Sequence, residues 1–245
     1  MKAIFIAFFS FFILQSCTVT ERMVVSETGM IDYESEINIS EMIGLMYPQH
    51  VKDSLTEIGQ FPIDSTFNYV DADKFFQSNR EEMSDAEKDF FKVMDKSFVN
   101  IKVDDNKGLI KFVTQQMNVK DFNAYWNRFD SKVLEMEKND PELAKKVADG
   151  AKFTSINVKY DGKSFQRITN PVSTKYLTQD SEIFGGEEML NFLTYKMEYH
   201  FPKPVKKTSI ENATFSLDRK TMWVEVPLSE AISNMEKYNF TVEFE

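Results

Sequence analysis

The stretch that decides the fold is Val19-Thr-Glu-Arg-Met-Val-Val-Ser-Glu-Thr-Gly-Met-Ile-Asp-Tyr-Glu-Ser-Glu-Ile-Asn-Ile39. In its second half Ile31, Tyr33, Ile37 and Ile39 alternate with Asp32, Glu34, Glu36 and Asn38. That is the period of two expected of a strand with one buried face and one acidic face. In its first half Val19, Met23 and Val25 alternate with Thr20, Arg22 and Val24, and Thr28-Gly29 supplies the turn. The chain therefore opens its folded part with a β-hairpin.

The same device recurs further along. Val99-Ile101-Val103 and Ile110-Phe112 flank Asp104-Asp-Asn-Lys-Gly108, and Ile156-Val158-Tyr160 runs into Asp161-Gly162, a strong short-range hairpin signal. Leu193, Tyr195, Met197, Tyr199 and Phe201 predict another alternating strand, stopped by Pro202 and Pro204. Ala213-Phe215-Leu217 and Met222-Val224-Val226 predict a hairpin around Asp218-Arg-Lys220, and Phe240-Val242-Phe244 predicts a last strand. Helices punctuate the hairpins. Ser84-Asp-Ala-Glu87 reads as a capping box ahead of Phe90, Phe91 and Met94. Asn118 opens the longest helix, whose stripe Val119, Phe122, Trp126, Phe129, Val133 and Met136 runs to Asn139. Short helices are expected from Pro141 and from Pro227, the latter with Leu228, Ala231, Ile232 and Met235 on one face. The expectation is an α+β fold: a mostly antiparallel sheet built from hairpins, with helices packed on one face.

Ahead of the hairpin, Lys2 precedes an unbroken apolar run from Ala3 to Leu14, and Leu14-Gln-Ser-Cys17 follows. The run has the length of a signal-peptide core and is short for a membrane span. Leu14-Gln15-Ser16-Cys17 resembles the lipobox of bacterial lipoproteins, which implies cleavage between Ser16 and Cys17 and lipidation of Cys17. Residues 1–16 are then a cleaved signal peptide, and residues 17–245 one α+β domain or two closely packed halves. Cys17 is the chain's one cysteine. An exported protein with a single thiol has no internal disulfide, and a lipid cap removes a reactive group from an oxidising compartment. Two or three acyl chains pass the two-anchor threshold for stable membrane attachment. Thr18-Val19-Thr20 carries neither an acidic retention residue nor an acidic export cluster, which leans toward the outer membrane facing the periplasm.

The charge balance narrows the partners. The full chain has a formal net charge of −10, and the leader contributes only Lys2, so the remainder is more acidic still. A chain of this sign lacks the basic stripe that phosphate backbones require, so nucleic acid is not an expected partner. The expected partners are the membrane, through the lipid on Cys17, and a lipid or a protein.

The stretch Phe201-Pro-Lys-Pro-Val-Lys-Lys207, with Asn212-Ala-Thr-Phe-Ser-Leu-Asp-Arg-Lys-Thr-Met-Trp223-Val-Glu-Val-Pro-Leu228, resembles envelope lipoproteins of the LppM-like type. In these a strand ends at a proline, a lysine-rich turn follows, and a hairpin leads into a tryptophan. The Phe-rich, Gly-poor style also resembles uncharacterised lipoproteins of the Bacteroidota. The resemblance implies an envelope lipoprotein that binds a lipid or another apolar ligand. It brings no catalytic motif with it.

Chemistry-bearing residues are sparse. The two histidines, His50 and His200, form no metal-ligand spacing, and no Gly-x-Ser-x-Gly elbow, phosphate loop or dinucleotide fingerprint is present, so no metal and no cofactor is expected. Asp104-Asp-Asn-Lys-Gly108 has some calcium-loop character, but the twelfth position counted from Asp104 is Gln115 where an EF-hand requires Glu, and a hairpin turn is the simpler reading. Trp126, Phe122 and Phe129 on the long helix and Tyr195 and Tyr199 on the strand are the candidates for lining an apolar pocket. The same spacing also serves to fill a core. Asp53-Ser54-Leu55 and Asp64-Ser65-Thr66 resemble Bacteroidota O-glycosylation sites, with Ser54 and Ser65 the acceptors on an exposed loop. A binding role without catalysis is the first functional expectation. The alternative is a hydrolase of envelope or extracellular polymer, which needs two carboxylates facing one another in a cleft.

Overall fold

The computed structural model describes residues 17–71, 85–139, 155–169 and 193–245. The opening hairpin forms as the alternation dictates. Strand β1 (Thr18–Val25) pairs antiparallel with β2 (Met30–Asn38), Val25 facing Ile31, and Gly29 takes a φ of 76° in the turn between them. A side chain on Gly29 would meet that strained φ, and its Cβ would lie 3.2 Å from the Tyr160 ring.

β2 continues outward to β5 (Gly108–Asn118), β4 (Ser97–Val103) and β3 (Ile63–Asn68), each pair antiparallel. On the other side β1 pairs in parallel with β8 (Thr194–His200), which carries β11 (Thr221–Pro227) and the short β10 (Thr214–Phe215). The sheet order is β10-β11-β8-β1-β2-β5-β4-β3. A second sheet, not foreseen from the sequence, has the order β6-β7-β12-β9, with β6 Ile156–Tyr160, β7 Ser164–Thr169, β9 Val205–Thr208 and β12 Phe240–Phe244. The fold class is α+β, dominated by antiparallel pairing.

Among the described residues the helices are α1 (Ile43–Met46), α2 (Gln49–Glu57), α3 (Asp85–Val93), α4 (Val119–Asn139) and α5 (Leu228–Ser233). Asn118 caps α4, its side-chain oxygen accepting from the Asp121 amide at 2.9 Å. The stripe read from the sequence is the buried one: Phe122, Trp126, Phe129, Val133 and Met136 all face inward. Trp126 stands edge-on to Tyr33 of β2 and packs near Phe112 of β5, while Phe90 of α3 meets Phe129. α4 thus covers the β2–β5 part of the inner face, and the second sheet covers the β1–β8 part, where Phe165 meets Tyr199. Residues of both sheets and α4 belong to one buried cluster.

Two expectations need correction. Leu217, expected to face inward on a strand, is fully exposed, because β10 ends at Phe215 and Ser216 begins the turn. The polar stretch expected to be a loop before the first capped helix instead contains α1, α2 and β3. Ser54 therefore sits on α2 and Ser65 on the edge strand β3, both exposed but in regular structure. The capping serine Ser84 and the helix expected from Pro141 lie outside the described residues.

Candidate functional site

The densest chemistry lies where the two sheets face each other. Along β1 the inward positions are Val19, Glu21, Met23 and Val25, so the strand's own period drives a carboxylate into the core. Along β7 the inward positions are Phe165, Arg167 and Thr169, which does the same to a guanidinium. Glu21 is 2% exposed and Arg167 is fully buried. They meet in a two-pronged pair: Arg167 Nε donates to Glu21 Oε1 and Nη2 to Oε2, both at 2.9 Å.

The remaining valences are filled from β8, from β7 itself and from the short helical turn Met235–Tyr238. Tyr195 Oη of β8 donates to Glu21 Oε2 at 2.7 Å, and Tyr199 Oη donates to Oε1. Arg167 Nε also donates to Tyr199 Oη at 2.8 Å, and Nη1 donates to Thr169 Oγ1 at 2.7 Å and to the Tyr238 carbonyl at 3.2 Å. Burial pushes the Glu21 carboxyl up, but the Arg167 charge and the two tyrosine hydroxyls outweigh it and hold it below the usual carboxylate range. Burial, reinforced by the Glu21 charge, drives the Tyr195 and Tyr199 hydroxyls well above their ordinary range, so both remain donors. The group is a closed, satisfied network rather than a poised acid.

Glu21 and Arg167 escaped the sequence reading. Part of the signal was present: Glu21 is one charged residue in an otherwise apolar run of alternate strand positions, whereas Arg167 stands between Phe165 and Thr169 and gives no such pattern.

The opposite face of the large sheet carries a charge ladder. In one row across four strands stand Trp223, Glu198, Arg22 and Glu34. Arg22 lies 3.3 Å from Glu198 and 3.5 Å from Glu34, and Trp223 Nε1 donates to Glu198 at 3.1 Å. Lys111 joins Glu34 and Glu36 at 3.4 and 3.1 Å. His200 lies on this polar face. Its Nε2 donates to the Glu198 Oε1 carboxylate oxygen at 2.6 Å, and its Nδ1 lies 3.2 Å from Thr221 Oγ1. Partial burial raises the Glu198 carboxyl, and hydrogen bonds from His200 and Trp223 more than reverse it, so Glu198 also stays ionised. The acidic face of β2 is thus largely neutralised by neighbouring strands. His50 is exposed on α2.

The aromatic candidates divide in two. Trp126, Phe122 and Phe129 interlock edge-to-face on α4, while Tyr195 and Tyr199 spend their hydroxyls on Glu21. All five are buried. Trp126 Nε1 is buried with no hydrogen-bond partner among the described residues. In the Asp104–Gly108 loop, Asp104 Oδ1 accepts from the Asn106 and Lys107 amides at 2.8 and 2.9 Å, which is the bonding of a turn. Among the described residues no group of three or more His, Cys, Asp or Glu side chains is arranged to hold a metal ion.

Cys17 stands immediately before β1. Its carbonyl accepts from the Thr194 amide at 3.0 Å, which extends the β1–β8 ladder by one rung, and its side chain occupies the first inward position of the strand. Among the described residues no helix is long and apolar enough to cross a membrane.

Comparison with known proteins adds little. No family model matches the chain, and no curated protein matches it. Among solved structures, the folded domain of Mycobacterium tuberculosis LppM is similar over 95% of this chain and 92% of that one, at 10% identity and a TM-score of 0.32.

Proposed function

We propose that the mature chain is a lipid-anchored cell-envelope protein that binds a protein partner or an apolar ligand and performs no catalysis. The observation that carries the anchor is the sequence Leu14-Gln-Ser-Cys17 behind its apolar run, set directly against the first residue of a folded sheet. Cleavage at Ser16 would release a domain whose first residue is both its lipid attachment and its first strand contact. The outer membrane, periplasmic side, is the compartment this reading favours.

The state of the carboxylates supports a binding role over the hydrolase alternative. A general acid in glycoside hydrolysis needs a raised pKa. Glu21 and Glu198 are both held down, each by donors that already occupy it. Binding of an apolar ligand would draw on the aromatic set Trp126, Phe122, Phe129, Tyr195 and Tyr199, which would have to part to admit it.

Two measurements test the proposal. Fractionation of cells expressing the wild type and Cys17→Ser should place the first in the membrane and the second in the soluble fraction; equal distribution refutes the anchor. Native mass spectrometry of the protein from its own host should show an extra mass removed by organic solvent. A bare polypeptide mass refutes tight ligand carriage and leaves protein partners as the object of the binding role.

A further inference from the structure

We propose that the lipid on Cys17 holds the large sheet end-on against the bilayer with no intervening tether, so that one end of the domain faces the lipid headgroups. The inference rests on the anchor reading above and goes beyond it by assigning the membrane-facing surface.

The geometry follows from the strand directions. β1 starts at Thr18, directly after the hydrogen-bonded Cys17, so no flexible residue separates the sulfur from the sheet. A single extended residue spans at most about 3.6 Å, so the acylated thioether cannot carry its glycerol far from the strand. Running the registers across the sheet, the Cys17 end of β1 coincides with Asn38 of β2, Leu109 of β5, Lys102 of β4 and Asp64 of β3 on one side. On the other side it coincides with Thr194 of β8 and Pro227 of β11. The β4–β5 turn, residues 104–107, therefore belongs to this end. So does α2, because Lys52 pairs with Asp105 at 3.0 Å, while Phe61, Ile39, Ile43 and Val103 form a separate small core beneath it. Ile58, just past α2, is 64% exposed here.

The opposite end carries the Ser26–Gly29 turn and the Ser216–Lys220 turn with its fully exposed Leu217. The eight residues of β1 put roughly 25 Å between the two ends at about 3.3 Å per residue. The near-end turn carries Asp104 and Asp105 against Lys107, so attraction to anionic headgroups does not orient the domain. The covalent attachment does, and the orientation should be insensitive to salt.

The test uses the full chain, expressed with its leader and reconstituted in phosphatidylcholine vesicles that contain a headgroup-labelled quencher lipid. Lipidated Cys17 is the one native cysteine, so Asn106→Cys and Leu217→Cys each give a single fluorophore site. Intact mass is read first; a protein without lipid refutes the anchor reading itself. With lipid present, the label at 106 should be quenched several-fold more than the label at 217, equally at low and high salt. Equal quenching, or stronger quenching at 217, overturns the orientation. Inserting twelve Gly/Ser residues between Cys17 and Thr18 adds a coil of roughly 20 Å and should erase the difference between the sites. If the difference survives the insertion, the surface is held by its own affinity and the direct-anchor account fails.

Discussion

Replacing Arg167 with Met removes the five hydrogen bonds its guanidinium makes to Glu21, Tyr199, Thr169 and the Tyr238 carbonyl. It leaves Glu21 in a 2% exposed site with only the two tyrosine hydroxyls. Breaking a buried pair from one side costs about 3–5 kcal/mol, a large share of the about 5–15 kcal/mol that holds a domain folded. The pH dependence fixes the cause. In the wild type burial raises the Glu21 carboxyl, but the Arg167 charge and the tyrosine hydroxyls hold it below the usual carboxylate range, so its stabilisation is complete at neutral pH and is lost as pH falls through the folded pKa. In Arg167→Met the lowering charge is gone and burial governs, so the folded pKa rises above the unfolded one. The variant should therefore gain stability on going from pH 7 to pH 5, whereas the Glu21 contribution in the wild type is flat over that range. Urea unfolding followed by tryptophan emission, to which the fully buried Trp126 and the half-buried Trp223 both contribute, reports both quantities. The double variant Glu21→Leu/Arg167→Met should lose clearly less than the two single losses sum to, because no uncompensated charge remains, while the Tyr195 and Tyr199 hydroxyls still lose their acceptor. A single variant within about 1 kcal/mol of wild type, or losses that simply add in the double variant, would refute the reasoning.

The outer ladder should behave differently. Arg22→Ala removes contacts to Glu34 and Glu198, but the Arg22 side chain is 42% exposed, so the loss should stay within about 1 kcal/mol and shrink in high salt. Gly108→Ala should cost about 1–3 kcal/mol by overpacking, because the added Cβ would lie 2.6 Å from Ile43 Cδ1 and 2.8 Å from Ile39 Cγ1. Adding Ile43→Val, which deletes that Cδ1, should recover part of the loss in a thermal melt. Tyr125→Phe leaves Ser97 Oγ without its buried partner and should cost about 1–3 kcal/mol, while Tyr125→Phe with Ser97→Ala should be milder than the single change.

Local pattern was legible wherever one face of an element met the core and the other met water. The Val19–Ile39 hairpin, the turns at Asp104–Gly108 and Asp161–Gly162, and the α4 stripe from Phe122 to Met136 are such cases. Which strands become neighbours was not legible. The parallel pairing of β1 with β8 joins Thr18 to Thr194, and alternation says only that each has an inner face, not which partner lies beside it. The second sheet escaped for the same reason, since β7, β9 and β12 come from separate hairpins or solitary strands. Leu217 misled because an apolar residue at the right parity was read as strand after the ladder had already given way to a turn around Ser216 and Asp218. Helix α2 hid in a polar stretch because Lys52 is the one buried residue on it, its ammonium held over the Phe61 ring and paired with Asp105. At the candidate site the tyrosines were found by their alternation. Their purpose was not, because alternation puts Glu21 on the inward parity of β1 without showing that Arg167 of β7 stands opposite it.

The chemistry at Cys17 is tested most directly by the mass of the N-terminal peptide of the protein purified from bacterial membranes. The predicted peptide begins at Cys17, lacks residues 1–16, and carries the added mass of a diacylglyceryl group, with or without a further acyl chain on its amine. A peptide that retains the leader, or that begins near Cys17 with an unmodified thiol, would contradict the anchor and the orientation drawn from it.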